Sequence, residues 1–74
     1  MEAFQERMLA EHKELEDRVS KLYRFIHENE KFKTLDIEEQ KDMKQQFIGM
    51  FGYLTALERR MKRQGLLEEK QGDA

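Results

Sequence analysis

The feature that most restricts the fold of this chain is a run of apolar residues in its second half, recurring at steps of 4, 3, 4, 3 and 4. This spacing places the side chains along one face of an α-helix and is typical of a helix–helix seam. Asp36 and Glu39 predict the start of the helix through a capping box, and Gly65 is suitably placed just after its last turn. The seam residues are Met43, Phe47, Met50, Leu54, Leu57 and Met61.

A second amphipathic segment precedes the seam and predicts a helix over about residues 3–28. Periodicity fails over residues 29–36, which we expect to form a connection before a second helix at about 37–64. The chain has no proline, which suits two long uninterrupted helices. The predicted fold is therefore all-α, an antiparallel hairpin of two long helices in one domain over residues 1–67, followed by a frayed charged tail at 68–74. The apolar stripe of the first helix is Phe4, Met8, Leu15, Val19, Leu22, Phe25 and Ile26.

A hairpin of 74 residues, 41% of them charged, has a thin hydrophobic core. Small chains of this kind usually gain stability from disulfides, metals or partner subunits. The absence of cysteine excludes disulfides and cysteine-ligated metals. The second helix also carries apolar and small residues off its seam, so we expect a homo-oligomer with these residues at the subunit contact. They are Ile48, Gly49, Phe51 and Gly52.

A monomeric alternative remains open at this point. Ile48 and Phe51 would be covered within one chain if they packed against Phe32 and Leu35 of the connection.

Enzymatic catalysis is not expected. Ser20, the only serine, has no histidine near it in sequence that is positioned to act as its base. His12 and His27 lie fifteen residues apart on one helix, so they cannot share a metal ion within one chain. No glycine-rich phosphate loop is present. We therefore predict no catalytic residues, no metal and no cofactor.

The sequence favours a cytoplasmic location. No apolar run approaches the ~20 residues that a helix needs to span a bilayer. The first residues are acidic and mixed in character, unlike a signal peptide. A chain without cysteine also fits a reducing compartment.

Basic residues are concentrated in two places. Residues 40–63 hold six bases and two acids, although the formal net charge of the chain is −2. Arginine forks bind phosphate oxygens, and aromatic faces stack on bases, so this mixture is what a nucleotide pocket requires. The alternative is a solvated helix face whose basic end matches the helix dipole. The two basic groups are Arg59, Arg60 and Arg63 on the second helix, and Arg18, Lys21 and Arg24 on the first.

The pattern of apolar, aromatic and basic residues over residues 3–63 resembles a group of very short helical proteins encoded by bacteriophages. Some of these are known only as crAss-phage-related proteins, and the group includes the anti-CBASS sponges of the second type. The residues that carry the resemblance are Phe4-Gln5-Glu6-Arg7-Met8, Glu11, Leu15, Lys21-Leu22, Phe25-Ile26, Phe32, Leu35, Gln46, Met50, Tyr53-Leu54, Leu57 and Arg60.

The resemblance implies a compact homohexamer in the host bacterial cytoplasm. It also implies that the protein sequesters cyclic di- and trinucleotide immune signals without cleaving them. The family binds dinucleotides between the N-terminal regions of two protomers, where Phe4 would take the aromatic role that tyrosine has in the family. Arg18 or Lys21 would take the basic role at that site. Arg59 or Arg60 would bind trinucleotides at a separate site.

Two other functions remain open from the residues alone. The first is a small helical adaptor whose second apolar face binds a host protein. The second is a helical-hairpin nucleic-acid binder, but a net charge of −2 argues against affinity for duplex nucleic acid.

Overall fold

The computed structural model describes residues 1–67, which form three helices. Helix α1 is Ala3–Glu28, helix α2 is Lys31–Thr34 and helix α3 is Ile37–Arg63. The tail expected at residues 68–74 lies outside the described residues. Helices α1 and α3 pack against each other, so the chain is all-helical over the part described.

The contacts between α1 and α3 establish that the two helices run antiparallel. The Gln5 amide donates to Oε1 of Gln64 at 3.1 Å near one end of the hairpin. His12 lies against Glu58, and the ring centroids of Tyr23 and Phe47 are 5.8 Å apart. Positions early in α1 therefore face positions late in α3.

The helix ends are only partly those predicted. Asp36 is the N-cap of α3, but its side chain makes no capping hydrogen bond, so the capping box expected with Glu39 is wrong. The Gln40 amide instead donates to the backbone oxygen of Leu35 at 2.9 Å, which holds the chain where α3 begins.

The C-terminal end of α3 is closed by Gly65 as expected. Its φ of +73° lies in the left-handed region that favours glycine. The backbone N–H of Leu66 then donates to the oxygen of Met61 at 2.9 Å, which satisfies a carbonyl group of the last turn.

The connection contains helix α2, which the failing periodicity did not predict. The Asn29 side chain, one residue before its N-cap, accepts the backbone N–H of Lys31 at 2.8 Å through Oδ1. Phe32 is buried and meets Phe25 edge-on with ring centroids 6.1 Å apart. The short helix therefore closes the bend end of the hairpin.

The main core lies toward the end of the hairpin away from the bend. Two side chains in it, Leu57 and Met61, are almost completely buried. Toward the bend, Leu22, Phe25, Met43, Phe47 and Met50 are only half-buried. The buried residues of this core are Met8, Leu15, Val19, Leu54, Leu57 and Met61.

The apolar residues off the seam of α3 stay uncovered. Ile48 is 60% exposed and Phe51 is 49% exposed. The alternative in which Phe32 and Leu35 cover them is therefore wrong. The oligomer remains a prediction, and the exposed surface that motivated it is present in the folded chain.

The molecule is flat, with principal extents of 46 × 33 × 15 Å. The helices form a single layer, which has two broad sides. Arg18 and Lys21 lie on one side, and Tyr23 and Phe47 lie on the other. Within residues 1–67, no helix combines the length and the apolar character needed to cross a membrane.

Candidate functional site: a groove between the two long helices

The side of the hairpin that carries Arg18 and Lys21 contains an open groove of about 690 Å³. This volume falls within the range of ~300–1,000 Å³ that is common for small-molecule sites. A larger hollow, about 770 Å³, lies over the solvent face of α1, but residues of that helix alone line it. The groove, in contrast, is walled by both long helices. Its lining residues are Leu15, Arg18, Lys21, Leu22, Phe25, Met43, Gln46, Met50 and Tyr53.

Helical spacing explains how the groove acquires an apolar floor and a polar rim. On α1, Arg18 and Lys21 lie beside the core-facing Leu15 and Leu22. On α3, Gln46 and Tyr53 flank Met50 in the same way. Residues three and four positions apart are neighbours on a helix surface, so each rim is a continuous stripe.

The two basic side chains of the rim are held by weak pairs on their own helix. Arg18 Nη2 lies 3.0 Å from Glu14 Oε2, and Lys21 Nζ lies 3.1 Å from Asp17 Oδ2. All four side chains are at least 60% exposed. Exposed pairs of this kind contribute about 0–1 kcal/mol, so an incoming phosphate can displace the carboxylates at little cost.

Tyr53 provides an aromatic surface on the opposite rim. Its side chain is 47% exposed, which leaves part of the ring free to contact a ligand. Stacking of a base on such a ring contributes about 1–3 kcal/mol. Beside it, the Gln46 amide has only a weak contact to Met50 Sδ at 3.8 Å, so its polar atoms remain available.

Gly49 and Gly52 lie on the surface of α3 with open space around them. A Cβ atom built on either glycine would meet nothing within 4 Å. Gly49 is one helical turn from Tyr53 and flanks the groove, whereas Gly52 lies farther round the helix. No contact within residues 1–67 therefore requires these two positions to be glycine.

Of the three residues singled out by sequence for dinucleotide binding, Arg18 and Lys21 lie together in the groove, but Phe4 does not reach them within one chain. Phe4 is 43% exposed at the end of the hairpin that holds Gln64. Arg18 follows it by fourteen residues on the same helix, a rise of about 21 Å. A site that uses both residues must therefore draw them from two protomers.

The two arginines proposed for trinucleotide binding lie on different sides of α3. Arg60 is seven residues from Tyr53, about two turns along the same side of the helix, so it lies on the groove side. Arg59 follows the buried Leu57 by two residues and points away from α1. Within residues 1–67, neither arginine forms an ion pair.

The other side of the hairpin carries an aromatic cluster. Phe47 stacks on Phe51 at 5.9 Å, and Tyr23 contacts both Phe47 and His27, the latter at 4.3 Å between ring centroids. A further hollow of about 550 Å³ lies over Tyr23, Phe47 and Phe51, with Arg24 on its rim. The sequence placed these aromatics on helices but did not show that they gather on one side.

Sequence reasoning also missed a polar cluster farther along that side. His12 Nε2 lies 2.8 Å from Glu58 Oε2, and a carboxylate oxygen of Glu16 completes a group whose atoms all lie within 4.8 Å of one another. The two histidines lie fifteen residues apart on α1, and their spacing could not show that folding brings Glu58 from α3 against His12.

A protein-family model described as Sequestin matches residues 2–63 of the chain. The match spans α1, α2 and α3, and thus includes every residue of the groove. No curated protein matches the chain, and neither does any solved structure.

Proposed function

The chain belongs to the Sequestin family, and we propose that it acts as an oligomeric sponge that binds cyclic di- and trinucleotide signals and withholds them from their receptors. The family name fits a sequestering role. The proposal adds the ligand class, which the resemblance to anti-CBASS sponges of bacteriophages implies. On this proposal the ligand is held without being cleaved, and the protein inhibits bacterial CBASS defence.

The proposal rests on one groove that has basic side chains on one rim and an aromatic side chain on the other. Arg18 and Lys21 offer positive charge on α1, while Tyr53 offers a ring on α3. A cyclic nucleotide needs both, because its phosphates are anionic and its bases are flat. The displaceable pairs with Glu14 and Asp17 leave the basic groups able to turn toward a phosphate.

Assembly would complete the site. Phe4 is too far along α1 to reach a ligand beside Arg18 of its own chain. The resemblance implies that a second protomer places its N-terminal end over the groove. Its Phe4 then lies close to Arg18 of the first protomer. Closed symmetric oligomers repeat one contact around an axis, which suits ligands that themselves carry repeated phosphates.

The exposed surface of α3 supplies the contact for this assembly. Ile48 and Phe51 are exposed apolar side chains that a subunit contact would bury. Gly49 and Gly52 leave space for another backbone to approach closely. Glycine costs about 1 kcal/mol relative to alanine in a helix, so two unneeded glycines favour a role in contacts outside the chain. We assign these four residues to the subunit interface.

Arg60 is the better candidate for the trinucleotide site. It shares the groove side of α3 with Tyr53, whereas Arg59 faces away from α1. Several copies of Arg60 gathered around an axis would surround a ring of phosphates with planar donors.

Isothermal titration of the untagged protein with cyclic di-adenylate and cyclic tri-adenylate tests the proposal. We expect binding of both, with fewer than one ligand per chain because each site is shared. The double variant Arg18→Ala/Lys21→Ala should weaken dinucleotide binding by at least about tenfold. Lys41→Ala removes an exposed positive charge from α3 outside the groove and serves as the matched control. An absence of heat and of thermal shift with every cyclic nucleotide would refute the proposal.

Three further variants separate the trinucleotide arginines. Arg60→Ala should weaken cyclic tri-adenylate binding more than Arg59→Ala does. Arg60→Lys keeps the charge but loses the planar fork, so it should recover only part of the affinity. Chromatography of the ligand after incubation should return it unchanged, and any turnover would contradict a sponge.

The exposed apolar surface also supports a second candidate, an adaptor that binds a host protein through Ile48 and Phe51. Light scattering separates the two functions. A sponge assembles with itself in the absence of any host protein, whereas an adaptor remains a single hairpin until its partner is added.

A further inference from the structure

We propose that His12, Glu16 and Glu58 form a zinc-binding site that joins α1 to α3. The three residues lie on two helices that are adjacent in space, and 46 positions separate His12 from Glu58 in sequence. Metal sites in helical bundles are built in this way, from side chains on facing helices.

The geometry fits one ion shared by three ligands. His12 and Glu16 are one helical turn apart, so their side chains extend from the same part of α1. Glu58 reaches them from α3, and its Oε2 is already 2.8 Å from His12 Nε2. Ligand atoms around a tetrahedral zinc are about 3.3 Å apart for bonds of ~2.0–2.1 Å. The group, within 4.8 Å overall, reaches this arrangement by rotation of the exposed Glu16 and a small separation of the other pair.

Burial differs among the ligands in a way that suits binding. The side chains of His12 and Glu58 are only 13% and 31% exposed, so packing already holds both in place. Glu16 is exposed and can close over an ion that arrives from solvent. Three protein ligands leave the fourth position of zinc for a water molecule.

The donor set favours zinc over magnesium and calcium. Magnesium and calcium require shells of oxygen, whereas an imidazole nitrogen with two carboxylates suits zinc. On binding, His12 Nε2 faces the ion with its lone pair, and any proton on that nitrogen passes to solvent. The contact that joins His12 to Glu58 through a hydrogen bond is thereby replaced by two metal bonds.

The site is separate from the nucleotide groove. His12 and Tyr23 are eleven residues apart, about three turns, and so share the side of α1 that carries the aromatic cluster. Arg18 and Lys21 line the groove on the other side. Loss of zinc binding and loss of nucleotide binding are therefore distinguishable by mutation.

Isothermal titration of the untagged full chain with zinc chloride, together with thermal unfolding, tests the proposal. A ligand bound only by the folded state raises the unfolding temperature, here by the order of 10 °C at a hundredfold excess over the dissociation constant. Magnesium chloride at the same concentration should leave the temperature unchanged. Glu16→Gln changes an exposed residue, so it should keep the fold and still weaken zinc binding at least about tenfold.

Two matched variants complete the experiment. His12→Ala should abolish the zinc-dependent thermal shift, whereas His27→Ala, which removes the other histidine of α1, should retain it. The proposal fails if the original protein shows neither heat nor thermal shift with zinc, if His27→Ala loses the shift, or if Glu16→Gln binds with unchanged affinity.

Discussion

The glycines of α3 allow the sharpest prediction, made with the double variant Gly49→Ala/Gly52→Ala. Each substitution replaces a poor helix former by the best one, worth about 1 kcal/mol per position. The new methyl groups meet no other described residue of the single chain within 4 Å, so no clash offsets the gain. The isolated hairpin should therefore be more stable by about 2 kcal/mol, which corresponds to roughly 8–16 °C in unfolding temperature for a domain of this size.

The same substitutions should make the oligomer less stable. If another protomer packs closely against these glycines, two methyl groups per chain enter a filled contact, and overpacking typically costs about 1–3 kcal/mol. The variant should thus unfold at a higher temperature in dilute solution and yet dissociate at a higher protein concentration. Cyclic-nucleotide binding should weaken with it, because the proposed dinucleotide site is shared between protomers.

Sedimentation equilibrium measures the subunit number, and thermal unfolding over a series of protein concentrations measures the stability. Gln45→Ala changes an exposed residue of α3 with little change in helix propensity and serves as the control. A variant that is more stable but keeps its subunit number and ligand affinity would refute the assignment of the glycines to an interface. A variant that is less stable as a single hairpin would contradict the finding that the added methyl groups meet no neighbouring atom.

Three further changes test the fold and its exposed surface. Leu57→Ala removes a side chain that is 1% exposed and should reduce the free energy of unfolding by about 2–5 kcal/mol, measured by urea denaturation; a loss below 1 kcal/mol would contradict its central place in the core. Gly65→Ala places an L-residue at a φ of +73° and should cost about 1 kcal/mol in the same assay, and an unchanged midpoint would mean that the turn can relax. The double variant Ile48→Glu/Phe51→Glu changes two exposed side chains, so the helical circular dichroism should persist while the oligomer dissociates; an unaltered mass by light scattering would exclude this surface from the interface.

The two long helices follow from the sequence because their apolar residues recur at helical spacing, which local chemistry alone sets. Gly65 was also predictable from local chemistry, because few residues other than glycine adopt the left-handed conformation that often ends a helix. Helix α2 was not, because four residues are too few to display a period. Asp36 takes the N-cap position without using its side chain, which composition cannot reveal.

The candidate sites depend on contacts between helices, which are harder to predict from the sequence than the helices themselves. Arg18 and Lys21 could be assigned to one stripe, but the opposing Gln46 and Tyr53 require the register of the hairpin. The contact of His12 with Glu58 has the same origin, because no spacing rule links residues on different helices. Arg59 and Arg60 stood out in the sequence as members of a basic group, but their role at a trinucleotide site and the role of Phe4 came from the resemblance. These roles stay predictions.

The slab that these helices form is only 15 Å thick. A small set of buried side chains maintains it, so most positions on its two broad surfaces can vary without endangering the architecture. Substitutions on one broad surface therefore leave the side chains of the opposite surface in place, and the two surfaces can change independently of each other.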